Sequence, residues 1–180
     1  DKTRKIIEGY SRKYSFIRYL ENPRKFTPFA LNIGVKEAKG EIIIRMDSHA
    51  GYQKDYISKC LKYSEESGAD NVGGVIKTLP KEKTLPARAI ALSLSSFFGA
   101  GTSYFRTGFG KPKWGEESKL SSSPFAVARE VDTVFGGCYK KEVFDRVGLF
   151  NEKLIRGQDI EFNRRLKKAG GKILLVPGIV

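Results

Sequence analysis

The stretch EIIIRMDSHAGY, Glu41 to Tyr52, predicts the fold of this chain and the place of its functional site. It begins with a continuous apolar run, which is typical of a strand buried on both faces of a parallel sheet. Directly after the run come Asp47 and His49, the only histidine of the chain. Ligands of open α/β sheets bind beyond the carboxyl ends of the strands, so this position predicts a site.

Helices and strands alternate on both sides of this stretch, as periodic apolar positions and glycine or proline punctuation indicate. The order predicts an α/β fold with a mostly parallel central sheet flanked by helices, in one domain over residues 1–180. We predict helices over 2–14, 29–39, 53–68, 87–101 and 159–169, and strands over 15–20, 41–47, 71–79, 131–135 and 172–177.

The segment 80–129 is different in composition. Its helix, 87–101, is apolar but shorter than a bilayer span, which predicts a buried or interfacial helix. The rest is rich in Gly, Ser and aromatic residues, including Trp114, without a period. This is typical either of a loop that closes over a site or of a disordered surface loop.

Charge and composition narrow the classes of partner. Lys and Arg number 33 against 20 Asp and Glu, a formal charge of +13, which favours an anionic nucleotide, nucleic acid or lipid surface. A solvated basic surface that serves solubility is the alternative. No helix-turn-helix or RNA-binding motif is recognisable, so no nucleic-acid partner is expected. Two cysteines without metal-ligand spacing predict a reducing, intracellular compartment.

Asp47 and His49 are the first candidate site residues. A carboxylate and an imidazole can hold a divalent ion, because Mg²⁺ takes only one or two protein carboxylates and leaves the other positions to phosphates and water. The imidazole shifts the preference toward Mn²⁺. The alternative is that Asp47 is a capping residue and that His49 is a polar side chain whose hydrogen bonds are satisfied.

Asp159 and the glycine pair Gly136–Gly137 form the second candidate group. Asp159 falls at the beginning of the last predicted helix, near the inward side marked by Phe162, where the helix dipole favours a carboxylate. A plain N-cap is the alternative. The two glycines allow a ligand to approach the backbone closely, or they form a bulge or turn.

Three ordered blocks together resemble the family 2 glycosyltransferases of the GT-A fold, and most closely the succinoglycan-type enzymes of exopolysaccharide biosynthesis. RMDSHAGY is similar to the family's Asp-x-Asp motif, which is commonly Asp-x-His in this branch. The other blocks are PRKFTPFALNIGVKEAKGE and VDTVFGGCYKKEVFDRVGLFNEKLIRGQDIEFNRRLKKAGGKI.

The resemblance implies a role for each candidate residue. Asp47 and His49 occupy the metal and diphosphate position, and Asp159 occupies the position of the catalytic base. The residues assigned to the donor are Asp47, Asp1, Arg24, Gly136 and Gly137.

The implied function is transfer of a sugar, with inversion, from a nucleotide-diphosphate donor to an acceptor hydroxyl in polysaccharide biosynthesis. The resemblance favours a UDP-sugar, Mn or Mg as cofactor, and a saccharide or lipid-linked saccharide as acceptor. It also implies a cytoplasmic position at the inner face of the cell membrane. The family's first strand is expected before Asp1 and a further segment after Val180, so the chain is expected to be a fragment.

Two other functions stay open from the residues alone. A non-catalytic basic module could bind a polyanion or an acidic membrane through clusters such as RRLKK, and it would show salt dependence without needing Asp159. A nucleotidyltransferase would share the metal chemistry, but it should carry an N-terminal Gly-rich phosphate loop, and none is visible.

Overall fold

The computed structural model describes residues 2–101, 103–107 and 128–179. The helices are α1 Thr3–Lys13, α2 Thr27–Glu37, α3 Tyr56–Ser67, α4 Leu85–Ser95, α5 Phe97–Ala100, α6 Tyr104–Thr107, α7 Glu142–Val147 and α8 Gln158–Lys168. The strands are β1 Ile42–Ile44, β2 Asn71–Gly74, β3 Arg129–Glu130, β4 Cys138–Lys140 and β5 Ile173–Val176.

The strands form one sheet in the order β1-β4-β2-β5-β3, which confirms an α/β fold with a central sheet flanked by helices. The prediction of mostly parallel pairing needs a correction. Among the described strands only β2 and β5 pair in parallel, and the other three pairs are antiparallel. Two of these pairs arise because β4 lies between β1 and β2 and runs against both, and the third because β3 runs against β5. β1, β2 and β5 still share one direction, so their carboxyl ends meet at one edge, where β4 begins.

Helices cover both faces of the sheet because successive strand side chains point to opposite sides. In β4, Tyr139 belongs to the cluster formed with α7 and α8, where its ring contacts those of Phe144, Phe150 and Phe162. Its neighbour Cys138 belongs to the opposite cluster, which includes the buried side chains of α3. The core is therefore divided into two layers by β4 and its neighbours.

Four predicted helices are confirmed within about three residues of their expected bounds, as α1, α2, α3 and α8. Two predicted strands are wrong. Residues 15–20 form a turn and irregular chain, since no strand of the described sheet pairs with them and a strand needs a partner for its backbone groups. Residues 131–135 are also irregular, and the strands lie on either side of them, as β3 and β4.

The apolar segment 87–101 is helical, as α4 and α5, and of the two predicted alternatives the buried helix is wrong, whereas the interfacial helix stays a prediction. Only Ala91 of α4 is buried, and the other apolar side chains of that helix lie on the surface. The predicted loop around Trp114 lies outside the described residues. Within those residues, no helix has the length and apolar character that a membrane crossing requires.

Candidate active site

The loop after β1 holds Asp47 in a fixed position at the shared edge of the sheet. The backbone N–H of Asp47 donates to the Tyr52 hydroxyl at 2.7 Å, and its carbonyl accepts from the N–H of Ala50 at 3.2 Å. The Tyr52 ring packs edge-on against Tyr56 of α3, with ring centroids 4.8 Å apart. A local turn and one aromatic contact therefore position the carboxylate.

Arg45 joins the two carboxylates that the sequence places far apart. Its Nη2 donates to both carboxylate oxygens of Asp47, at 2.9 and 3.0 Å. Its Nη1 lies 3.7 Å from Oδ2 of Asp159. The three side chains are 13%, 17% and 26% exposed, so solvent screens these interactions less than it screens a surface ion pair.

Sequence reasoning missed Arg45, although a signal was present. Arg45 and Asp47 are two positions apart at the end of a strand, and strand residues two apart lie on one face. An arginine at that spacing is able to pair with the candidate metal ligand. The contact with Asp159, in contrast, depends on the approach of α8 to β1.

Asp159 lies in the first turn of α8, at the open end of the helix. One carboxylate oxygen accepts from the N–H of Ile160 at 3.0 Å, and the other faces Arg45. Phe162 and Leu166 of the same helix are fully buried and anchor it to the core. The carboxylate is therefore held by its helix and remains partly open to solvent.

A buried polar network lies beneath these groups and was not foreseen from the sequence. The Oδ1 of Asn163 accepts from the Nδ2 of Asn71 at 3.1 Å and from the Tyr139 hydroxyl at 3.4 Å, and its Nδ2 donates to Thr133 Oγ1 at 2.9 Å. Burial raises the pKa of Tyr139, and the nearby charge of Asp159 adds to this effect. The network connects α8 to β2 and β4 and so helps to hold Asp159 in place.

Gly136 and Gly137 form the turn that begins β4. Their φ angles are +69° and +97°, a region that side chains disfavour. A Cβ on Gly136 would lie 3.0 Å from the Arg45 carbonyl oxygen, and one on Gly137 would lie 2.4 Å from the Tyr139 ring. The Arg45 N–H also donates to the Gly137 carbonyl at 3.0 Å. The turn interpretation is thus sufficient to explain both glycines, and a role at the donor stays a prediction.

His49 is exposed on the same loop as Asp47 and lines a cleft of about 640 Å³. The described residues contain no group of three or more His, Cys, Asp or Glu side chains that could hold a metal. A site here would therefore use two protein ligands and leave the other positions to phosphate and water, which suits Mg²⁺ or Mn²⁺. The Asp47 oxygens keep lone pairs beyond those that Arg45 occupies, so the two residues fit a divalent ion.

For two residues, Asp1 and Arg24, a place at the donor stays a prediction. Asp1 lies outside the described residues. Arg24 is exposed, and its guanidinium lies over the Phe29 ring, 5.5 Å from the centroid. No hydrogen bond or ion pair of the described residues connects Arg24 with Asp47.

Comparisons with known proteins give the family of the chain and its relatives. A sequence model of glycosyl transferase family 2 matches residues 1–130. The dolichyl N-acetyl-alpha-D-glucosaminyl phosphate 3-beta-D-2,3-diacetamido-2,3-dideoxy-beta-D-glucuronosyltransferase of Methanococcus voltae is 27% identical, over 100% of this chain and 52% of its own length. The succinoglycan biosynthesis protein ExoA of Rhizobium meliloti (strain 1021) is also 27% identical, over 96% of this chain and 47% of its own.

The chain spans about half the length of these curated relatives. Among solved structures, TarS 1–349 of S. aureus superposes with a TM-score of 0.59 over 97% of this chain and 45% of its own. Its sequence identity is 17%, so this likeness concerns the fold alone.

Proposed function

Because the chain belongs to glycosyl transferase family 2, we propose that it transfers a sugar, with inversion, from a nucleotide-diphosphate donor to an acceptor hydroxyl. The observation that carries this proposal is the contact of Arg45 with both Asp47 and Asp159. Arg45 contacts both carboxylates at one edge of the sheet, and this supports the proposal that Asp47, on the donor side, and Asp159, as base, serve one reaction.

Asp159 acts as the general base in this proposal. The acceptor oxygen forms a bond to the anomeric carbon from the face opposite the leaving group, and its proton passes to the Asp159 carboxylate. The bond from the anomeric carbon to the diphosphate breaks, and the diphosphate leaves with the electron pair. Holding donor and acceptor in line contributes a large part of such a rate.

Asp47 and His49 would hold the divalent ion, Mn or Mg, that members of this family generally use. When bound there, such an ion would supply positive charge that stabilises the leaving diphosphate. The contact with Arg45 fixes the direction of the Asp47 carboxylate, and the Tyr52 hydroxyl fixes its backbone.

The names of the relatives support a place in polysaccharide biosynthesis. One relative is named for succinoglycan biosynthesis, and the other for transfer to a dolichyl-linked sugar phosphate. We propose a UDP-sugar as donor, a saccharide or lipid-linked saccharide as acceptor, and a position at the inner face of the cell membrane.

Calorimetric titration of UDP and GDP, with and without Mn²⁺, tests the donor side. We expect metal-dependent binding that Asp47→Ala and His49→Ala weaken, while the matched control Asp55→Ala, an exposed aspartate that pairs only with Lys59 among the described residues, leaves it unchanged. Nucleotide binding that is equally strong in Asp47→Ala would overturn the assignment.

The base is tested separately with Asp159→Asn. This variant keeps the shape of the side chain and loses the proton acceptor, so nucleotide binding should remain while sugar transfer falls by about 10²-fold or more. Transfer at the unchanged rate in Asp159→Asn would remove Asp159 from the mechanism.

A further inference from the structure

The guanidinium of Arg45 directs its charge to two carboxylates. Among the described residues, its ion pairs are those with Asp47 and Asp159. Its Nε is buried and has no hydrogen-bond partner in the same part of the chain, so the polar contacts of the side chain come from its two terminal nitrogens. Arg45 also borders a pocket of about 370 Å³, whose other described lining residues are all apolar or aromatic. The pocket therefore offers the cation no other acid.

The position of the Asp159 carboxylate depends on Arg45. Within the described residues, one oxygen accepts from the neighbouring N–H of Ile160, and the other faces Nη1 of Arg45 at 3.7 Å. The side chain is partly exposed, so no packing against the core fixes its direction. Without Arg45, the second oxygen would be free to turn to another cation at this edge of the sheet.

A divalent ion is the cation that would attract it. Removing the cation from a partly buried ion pair leaves charge that water compensates poorly, and Asp47 and Asp159 are only 17% and 26% exposed. The ion proposed at Asp47 and His49 has open coordination positions, and a carboxylate is a ligand that Mg²⁺ and Mn²⁺ prefer. A carboxylate that is bound to such an ion has committed a lone pair that a general base needs for its proton.

We infer that Arg45 is a positioning residue that keeps Asp159 away from the divalent ion and so reserves it as the proton acceptor. The fixed charge of Arg45 holds Asp47 with one nitrogen and Asp159 with the other. The ion then takes Asp47 and His49 as its protein ligands and does not take Asp159. This inference rests on the proposed function and adds a residue with a stated role to the same site.

A purely structural ion pair makes the opposite prediction. If Arg45 served only to hold the loop after β1, its loss would loosen Asp47 and weaken the binding of an ion. If Arg45 keeps Asp159 away, its loss adds a ligand and strengthens the binding of an ion. The sign of the change therefore separates the two roles.

Titration of Mn²⁺ alone, without nucleotide, into the purified protein tests the inference by calorimetry. We expect Arg45→Met to bind Mn²⁺ about tenfold more tightly than the native protein. Asp159→Asn should change the affinity of the native protein by less than about twofold, but it should abolish the gain in Arg45→Met. A general effect of the Asp159 charge would act in both backgrounds, so the difference between them reports a new ligand. No gain in Arg45→Met, or a gain that persists in the double variant, would overturn the inference.

The hydration of the bound ion gives a second readout that does not depend on affinity. Water proton relaxation reports how many water molecules Mn²⁺ retains. The ion should lose a water molecule in Arg45→Met, because Asp159 replaces it, and regain it in Arg45→Met/Asp159→Asn. Equal hydration in the native protein and Arg45→Met would contradict the new ligand. If Arg45→Met does not fold, Arg45→Gln replaces it in both measurements with the same expected results.

Two arginine variants serve as controls. Arg45→Lys keeps a cation at the site and should hold the Mn²⁺ affinity within about twofold of the native value. Arg146→Met removes an arginine whose Nη2 lies 2.7 Å from Oδ1 of Asp70, directly before β2 and therefore at the opposite edge of the sheet, and it should leave the affinity unchanged. A gain in Arg45→Lys or Arg146→Met as large as that in Arg45→Met would overturn the inference.

The same samples separate this inference from the proposed function. Metal-dependent nucleotide binding by the native protein, with no gain of Mn²⁺ affinity in Arg45→Met, would overturn the role of Arg45 and leave the transferase. A gain in Arg45→Met that requires Asp159, in a protein that binds neither UDP nor GDP, would support the separation of Asp159 from the ion and overturn the transferase.

Discussion

Gly137 is the residue at which the turn beside Arg45 tolerates least change. Its φ is +97°, and a Cβ there would lie 2.4 Å from Cε2 of the buried Tyr139 ring. Gly137→Ala should therefore lower the free energy of unfolding by about 2–4 kcal/mol, through backbone strain and overpacking together.

Urea unfolding measures this loss, with Gly51→Ala as the control at the same edge of the sheet. A Cβ on Gly51 meets nothing within 4 Å, so that change should stay within about 0.5 kcal/mol. Similar losses at the two glycines would contradict the clash with Tyr139.

Tyr139 makes stability depend on pH in the alkaline range. Burial, and then the charge of Asp159, raise its pKa in the folded state above the value of about 10 in the unfolded chain. Above about pH 10 the unfolded chain loses the phenol proton while the folded protein keeps it, so the free energy of unfolding falls as pH rises. Below that pH the phenol is protonated in both states, so it does not change the free energy of unfolding with pH.

Tyr139→Phe keeps the ring in the core and removes this titration. The variant should show a weaker decline of stability between about pH 9.5 and 11 than the native protein, measured by urea unfolding at each pH. Tyr10→Phe removes a phenol that is 54% exposed on α1 and should leave the decline as it was. The same decline in Tyr139→Phe as in the native protein would refute the effect.

Among the elements, α8 is connected by Arg165 to the end of α7 and to the segment that follows it. The guanidinium donates to the carbonyls of Val147 and Leu149 and to the carboxylate of Glu161, and it lies 5.1 Å from the centroid of the Phe162 ring. Arg165→Ala should lower the free energy of unfolding by about 2–3 kcal/mol, since several charge-assisted hydrogen bonds are lost together.

Arg164→Ala is the matched control, because Arg164 is the exposed neighbour on the same helix. Its replacement should change the unfolding midpoint little, within about 0.5 kcal/mol. An equal effect of the two changes would show that general charge, rather than the specific contacts of Arg165, determines the stability of α8.

Helices were more predictable than strands at this scale. A helix forms its backbone hydrogen bonds within its own segment. The helical period of the apolar residues and the C-cap Gly68 were therefore enough to locate α3. A strand needs a neighbour, and residues 15–20 read as a strand but find none in the described sheet. The exposure of α4 likewise depends on what packs against it, which its apolar composition does not reveal.

At the scale of the whole molecule, the formal charge of +13 is the property on which the alternative function depends. That alternative is a non-catalytic basic module that binds a polyanion or an acidic membrane. Binding to vesicles that contain an anionic phospholipid should weaken steeply between 0.1 and 1 M salt, as the screening length falls from about 10 Å to about 3 Å. Co-sedimentation measures this, with neutral phosphatidylcholine vesicles as the control.

The same binding should be unchanged in Asp159→Asn, because a surface field does not depend on one carboxylate in a cleft. A basic module without catalytic function would show this salt-dependent vesicle binding and no metal-dependent nucleotide binding. The proposed transferase would show it together with metal-dependent nucleotide binding that requires Asp47. Vesicle binding that is independent of salt would exclude the electrostatic mechanism.

The candidate site divides into a part that was readable in the sequence and a part that was not. Asp47, His49 and Asp159 were recognisable because each stands at the end of a strand or the beginning of a helix, positions that local patterns locate. The contact of Arg45 with Asp159 and the Asn163 network were not recognisable, because each needs partners distant in the chain. The place of Arg24 at the donor rested on block similarity and stays a prediction, and in the structure its guanidinium lies over the Phe29 ring.

The sequence by itself determined the α/β class, four helices, the strand that delivers Asp47 and the basic character of the molecule, because these follow from local periodicity and from composition. The tertiary structure alone decided that β4 separates β1 from β2, that Arg45 also contacts Asp159, and that α4 lies exposed beside a cleft that Lys77 and Arg106 line. These features are pairings between segments far apart in the chain. Their free energy comes from packing and hydrogen bonds that form only when those segments meet, and no local pattern records them.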